Sequence, residues 1–506
     1  MKKSLYTAAL GLLLSLVGTS SCSDSFLELN PPTQIPVEEY YTTKAHMYEL
    51  LVSAYCPMIY FDWAQNEYNP VNILADVLGD DMYPGGASAT DNENWHLMFN
   101  YSATPVKVIA GLWTDCYNGV RRCNYVEEYM PNIVDIDNDT RDLYLAEAKV
   151  LRAYYYSILW KFWGAVPYYR ENLLFPYTKA KSSADEVYEG IITDLNDAIA
   201  LNVLPMRQAD ASLHGRVTSA FAYMIYADVV MYQKDSEKYS KALGYMNDII
   251  ISGEFELTPN FDDIWTEEGE WNKETIFSIN YFNQNASRSW NNPYFAGGSV
   301  IPTLISPYGL PDGTSYNGVG LVDGWGFGTI PVETYEAFEE GDTRRDASIN
   351  DLRNVSYEER YQNTGFWLRK YGARSGYNEG QVADAVLNWG NDLRIYRYSE
   401  TLLNAVELAL LGGGAPNQAY FDMVRDRAGL DSKPATIDNI IDERRFEFLG
   451  EGKRYFDLVR SGKAQEVLKA GGEYRTVNWT PNKKYLPIPQ SEINSADGAL
   501  VQNTDY

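Results

Sequence analysis

The sequence predicts a mainly α-helical fold, in which tetratricopeptide-like helical hairpins support an irregular, loop-rich half with a few short β-strands. Three observations lead there. Between Asp139 and Gly253, apolar residues recur at three- and four-residue intervals in helix-length segments joined by short connectors. From Phe255 the texture changes to alternating, glycine-rich and aromatic-rich stretches. Near the C-terminus, Asp442, Glu443, Glu447 and Glu451 crowd against Arg444, Arg445, Lys453 and Arg454, with Phe446, Phe448, Leu449, Tyr455 and Phe456 interleaved. That charge cannot all lie on an open face, so part of it must be buried and paired.

In chain order, Lys2 and Lys3 precede a short apolar run, Ala8 to Val17, and the small residues Gly18 to Ser21 lead to Cys22. The run is too short to span a bilayer, so residues 1–21 read as a lipoprotein signal peptide and Cys22 as the lipidated mature N-terminus. Ordinary cleavage leaving Cys22 free is the alternative. Residues 22–43, with Pro31, Pro32 and Pro36, are expected to form a lipid-anchored extended tether. No later segment is long and apolar enough for a membrane span. Cys116 and Cys123 fall on one expected helix, ~10.5 Å apart along its axis, too far for a bridge. Reduced thiols are expected there and at Cys56.

Helical periodicity starts near Lys44, and Tyr60 to Pro70 reads as a loop. A short segment carries Asp76, Asp80 and Asp81. Met82 to Asn94, holding Pro84, Gly85, Gly86, Asp91 and Asn92, is expected to be an exposed loop ending on Trp95. Asp139 is expected to cap a helix whose stripe runs Leu143, Ala146, Val150, Ala153, Trp160 and which stops at Gly164. Ser183 and Glu186 form a capping box ahead of Val187, Ile191, Leu195 and Ala198. Val217 to Met231 and Tyr239 to Ile250 mark two more helices, the second closed by Gly253.

Glu274 to Phe282 alternates like a strand, and Asn283 to Gly328 is the least regular part of the chain. So long a loop region in a compact protein is usually functional, and its aromatic content argues against disorder. Ile395, Tyr398, Leu402, Ala405 and Ala409 suggest one helix, stopped by Gly412 to Gly414, with Pro416 opening the next. Asp442 to Lys463 should be two helices parted by Gly450 and Gly452 and latched by ion pairs. Tyr485 to Asn494 reads as an extended tail. The expected division is 44–255 as the helical part and 256–506 as the part with the ligand-binding loops, packed together as one compact unit.

Several functions are disfavoured. A net charge of −27 argues against nucleic acid, which demands a positive footprint. There is no Gly-x-Ser-x-Gly, no phosphate-binding loop and no His-Glu-x-x-His, and His46, His96 and His214 are isolated. No catalysis, cofactor or metal is therefore expected. Glu443 and Glu447 stand one helical turn apart, but their arginine neighbours would depress their pKa values, the wrong direction for a general acid.

Four motifs in order carry a family resemblance: Cys22 with its small-residue approach; AEAKVLRAYYYSILWKFWGAVPY from Ala146 to Tyr168; LRIYRYSETLLNAVELAL from Leu393 to Leu410; and the charged Asp442–Lys463 run followed by YLPIPQSEIN. With them the chain resembles the SusD/RagB family of outer-membrane nutrient-binding lipoproteins. The resemblance implies a fold of tetratricopeptide-like hairpins and an irregular ligand-binding half. It implies non-catalytic capture of an oligosaccharide or polysaccharide at the cell surface, anchorage to the outer membrane by lipid, and delivery to a SusC-like TonB-dependent transporter. Capture of peptides is the alternative within the family. A glycoside hydrolase using cleft carboxylates such as Asp80 and Asp91 is the alternative outside it.

Sugars present apolar C–H faces ringed by hydroxyls, so a binder needs flat aromatic rings beside polar side chains on a concave surface. Two stretches combine these: Asp80, Asp81, Asp91, Asn92 and Trp95, and then Trp290, Asn291, Asn292, Tyr294, Tyr308, Trp325 and Phe327. They are the expected ligand-binding residues. Forty-one tyrosines and 12 tryptophans give such a surface ample supply.

Overall fold

The computed structural model describes residues 35, 37–64, 67–294, 297–471 and 474–506. The expected signal peptide, the lipidation site Cys22 and most of the tether lie outside the described residues.

The first long helix, α1 (Lys44–Tyr55), starts where Thr43 accepts a hydrogen bond from the His46 N–H. It is followed by α2 (Val71–Leu78), strand β1 (Tyr83–Gly85) and α3 (Glu93–Phe99). The helical half continues through α4 (Gly111–Tyr129), α5 (Asn138–Trp163), α6 (Ala184–Ala200), α7 (Ser219–Gln233) and α8 (Tyr239–Ser252). From α4 to α8 each helix packs on the next. The close approaches depend on missing side chains. A Cβ on Gly119 of α4 would sit 2.3 Å from the Tyr155 ring of α5, and one on Gly190 of α6 would sit 2.2 Å from Tyr168. Either would force the pair apart in an interior packed at crystal density.

The Ser183–Glu186 capping box is present, and Gly253, at φ +67°, ends α8. The cap of α5 is Asp137 and not Asp139: its carboxylate accepts from the Thr140 N–H at 2.8 Å. Asp137 has the extended backbone a cap requires, whereas Asp139 falls in the first turn, where the helix dipole favours an acid.

The second half is built on strands and loops. Strand β2 (Thr275–Ile279), buried throughout, pairs antiparallel with β8 (Leu393–Arg397). Between them lie α9 (Ile301–Ile305), the small hairpin β3 (Ser315–Tyr316) and β4 (Val319–Gly320), and β5 (Phe327–Thr329). After them come α10 (Thr343–Ser348), β6 (Ile349–Asp351) and β7 (Phe366–Leu368). An antiparallel sheet in the order β1-β5-β7-β6 joins the two halves. Met82 to Asn94 is therefore not one exposed loop: β1 pairs with β5 and is largely buried, residues 91–94 are half-buried, and the tip at 87–90 is exposed.

Helix α11 (Tyr398–Leu411) follows β8 directly. Ile395 thus belongs to a strand, and the single stripe expected from Ile395 to Ala409 divides in two. Nearly every residue of α11 is buried, so no polar face marks its period. Asn417, not Pro416, opens α12 (Gln418–Arg427) by accepting from the Ala419 N–H. Two further helices, α13 (Ile437–Glu447) and α14 (Arg454–Ser461), flank the turn at Gly450 and Gly452, which sit at φ +82° and +75°. The tail is extended only to Pro489 and then forms α15 (Gln490–Ser495).

The charged run is a latch wider than a helix pair. Arg397 at the end of β8 reaches Glu447 at 3.0 Å and Glu451 at 2.9 Å, and also binds Glu274 from the start of β2. Arg427 of α12 binds Glu447 at 2.6 Å, Arg344 of α10 binds Glu443 at 2.6 Å, and Lys370 binds Glu451 at 2.8 Å. A second set links Arg444 to Asp457 and Glu400, and Arg460 to Asp457 and Glu407. Burial alone would raise the Glu447 carboxyl, but Arg427, Arg397, Arg344 and Lys370 outweigh it and hold it well below the usual range. All these charges are buried and paired, so the run is structural.

Candidate functional site

A cleft of about 550 Å³ opens where loops from both halves meet, within the size range of small-molecule sites. Its lining includes Glu67, Tyr68, Asp91, Asn92, Trp290, Trp325, Phe327 and Arg360.

The base is set by the segment after α1. Asp62, fully buried, pairs with Arg288 at 2.5 Å and accepts from the Val300 N–H at 2.8 Å, so it ties that segment to the loop around residue 290. The buried Trp63 ring lies 6.1 Å from Trp290, which keeps 49% of its surface exposed. The Trp290 N–H donates to the Asp384 carboxylate at 2.9 Å. Trp325 faces Trp290 with ring centres 5.8 Å apart and planes tilted by 31°. Tyr68, itself at φ +55°, meets Trp325 edge-on at 5.5 Å.

The Trp325 backbone is clamped on both sides: its N–H donates to the Thr303 carbonyl at 2.7 Å, and its carbonyl accepts from Arg360 at 3.1 Å. Gly324 permits this, because a Cβ there would sit 2.3 Å from the Thr303 oxygen. The Arg360 guanidinium lies 3.4 Å over the Tyr308 ring, which orients a cation at the cleft. Asp91 accepts from the Ala87 N–H at 2.8 Å, and Asn92 occupies the left-handed region at φ +50°. Burial raises the Tyr68 phenol, which therefore stays a neutral hydrogen-bonding hydroxyl. The arrangement offers two apolar ring faces edged by carboxylate, amide, hydroxyl and guanidinium groups.

Of the residues expected from sequence, Asp91, Asn92, Trp290, Trp325 and Phe327 line the cleft together. Asn291 and Asn292 share the Trp290 turn, and Tyr308 supports Arg360. Tyr294, 46% exposed, sits against Tyr60 outside the lining. Three expected residues are elsewhere. Trp95 has no exposed surface: its indole N–H donates to Asn69 at 2.6 Å and its ring packs edge-on behind Phe327. Asp80 is bound by Arg454 at 2.7 Å and Asp81 by Arg445 at 2.6 Å, so both fasten the end of α2 to the latch. Burial opposes it, yet Arg454 and Arg445 keep the Asp80 carboxyl below its ordinary range, which removes Asp80 as a proton donor for a hydrolase.

Tyr68, Glu67 and the supporting Trp63 were not expected, although FDWAQNEYNP pairs aromatics with amides and acids as the chosen loops do. Arg360 carries no such signal. Among the described residues no group of His, Cys, Asp and Glu is arranged to hold a metal ion, and no helix is long and apolar enough to cross a membrane.

The profile of the SusD family matches residues 339–506, and a profile described as starch-binding associating with outer membrane matches residues 25–229. Among solved structures, surface glycan-binding protein A from Bacteroides thetaiotaomicron is 48% identical, with a TM-score of 0.88 over 92% of this chain and 100% of that one. The same protein has been solved in complex with laminarihexaose, at a TM-score of 0.87. A laminarin-binding SusD-like protein is 29% identical, with a TM-score of 0.83, over 92% of this chain and 100% of that one. SusD-like protein P2 of Formosa agariphila is 25% identical over 98% of each chain.

Proposed function

We propose, from the premise that this chain belongs to the SusD/RagB family, that it captures an oligosaccharide across the Trp290 and Trp325 rings and delivers it to a SusC-like TonB-dependent transporter. The observation that carries the reading is Trp290, a large ring left half in water while it packs against Trp63 and faces Trp325. An exposed aromatic so immobilised is ready for a sugar's C–H face, with little rotamer entropy left to lose on binding. A laminarin-type glucan is the proposed ligand. The laminarihexaose and laminarin bound by the relatives support it, as does the 31° tilt, which suits a chain that turns from one ring to the next. The matching description, associating with outer membrane, supports residence there; lipid on Cys22 is the proposed anchor. The relatives are named as binding proteins, and the protein binds its glycan without cleaving it.

Calorimetric titration with laminarihexaose, cellohexaose, maltohexaose and an unrelated hexapeptide tests this. Laminarihexaose should bind best and emerge uncut, and Trp290→Ala should weaken it at least tenfold with an unchanged melting temperature. Preference for the peptide, turnover of any glycan, or wild-type affinity in Trp290→Ala would overturn the reading.

A further inference from the structure

A second concavity, of about 310 Å³, lies between the helical half and the C-terminal end of the chain and shares no lining residue with the cleft. Helix α4 contributes Trp113, Tyr117 and Arg121, spaced four apart along its surface. The segment after α5 brings Tyr169, Tyr177 and Lys179, and α15 brings Glu492. The Tyr117 and Tyr169 rings are parallel to within 15° at 5.9 Å, and Trp113 abuts Tyr117 at 5.0 Å. These rings are fixed. The Tyr117 hydroxyl donates to the Pro167 carbonyl at 2.7 Å, and the Tyr169 N–H donates to the Tyr156 hydroxyl at 2.9 Å. Tyr177 stands at the mouth, 69% exposed.

The electrostatics differ from those of the cleft. Nearby Arg152 and Arg170 are used up by Asp194 and Asp197. Arg121 and Lys179 are exposed on the pocket rim, and neither meets a carboxylate within ion-pair distance among the described residues. In a chain of net charge −27, two free cations beside a wall of aromatic rings make a local anion trap. Glu492 is the one acid of the lining, set against the two cations; burial raises its carboxyl, against a bond from Trp113.

We propose that this pocket is a second saccharide site, taking a sugar ring with an anionic substituent, a carboxylate or a sulfate. The tyrosine faces meet the C–H face of the ring, and Arg121 with Lys179 meets the anion. The cleft, with Asp91 and Glu67 set against Arg360 in its lining, carries no excess of cations and suits neutral rings, so the two sites divide ligands by charge. This inference stands apart from the glucan reading.

The test titrates the full mature chain with a glucuronate-terminated disaccharide, a sulfated disaccharide, their neutral parent and an acidic peptide. At least one anionic disaccharide should bind, with the neutral parent at least tenfold weaker; which of the two binds identifies the substituent. The double variant Arg121→Ala/Lys179→Ala, at exposed positions, should lose at least tenfold, and Trp290→Ala should change nothing. Four outcomes would overturn it: no binding of either anionic sugar, binding unchanged in the double variant, binding lost in Trp290→Ala, or capture of the acidic peptide in preference to both sugars.

Discussion

Trp290 and Trp95 show how one residue type divides its work. The first is fastened by its backbone, and its indole is left for a ligand. The second is fastened by its indole, and nothing of it reaches water. Trp95→Ala should therefore cost about 3–5 kcal/mol of stability from the cavity alone, with the Asn69 carbonyl also left unpaired. A thermal melt should show a clear fall in melting temperature where Trp290→Ala shows none. Both tryptophans sit in polar, glycine-bearing stretches, and the sequence separates them poorly for a physical reason. Exposure is decided by what arrives from elsewhere: Phe327 and Asn69 cover Trp95, whereas Trp63 and Trp325 leave Trp290 half exposed among the described residues. Asp80 and Asp81 mislead in the same way, because Arg454 and Arg445 reach them from the far end of the chain.

Among the elements, the latch around Glu447 is the one most exposed to titration. Arg397→Ala should cost about 3–5 kcal/mol, since it leaves carboxylates buried without their partner, while laminarihexaose affinity holds in the remaining folded protein. Glu447, Glu451 and Asp457 are buried, which alone would raise them, but the surrounding arginines, joined by Lys370 at the two glutamates, lower all three. A depressed folded pKa means that their stabilisation is fully present above about pH 4, the unfolded carboxylate range. It is lost as pH falls through the folded values. Melting temperature should thus hold from pH 7 to about pH 5 and fall steeply below, more steeply than in a Glu447→Gln variant. Elements closed by local chemistry were legible: the Ser183–Glu186 box and the Gly253 stop need only their neighbours in sequence. Strand β8 was not, because its partner β2 is distant in the chain and the helix after it is buried all round.

At the scale of the molecule, the expected boundary near residue 255 separates textures. The sheet order β1-β5-β7-β6 crosses it, α8 packs on α11, and the main core runs from Met47 to Leu500. A fragment of residues 44–255 should accordingly fail to melt cooperatively by circular dichroism and fail to bind any glycan. A sharp transition in that fragment would refute the single unit. The cleft repeats the pattern, with Tyr68 from one half and Trp290 and Trp325 from the other.

The Asp62–Arg288 pair binds those contributions together where no water reaches. An ion pair so enclosed is screened little by salt, and it holds the loop of Trp290 against the segment that carries Tyr68. Adaptation then falls to the sugar. Glycans that already curve in solution enter at little conformational cost, while straight ones must bend first. Selectivity in such a binder is exercised before contact, by the shape that the polymer keeps when it is alone.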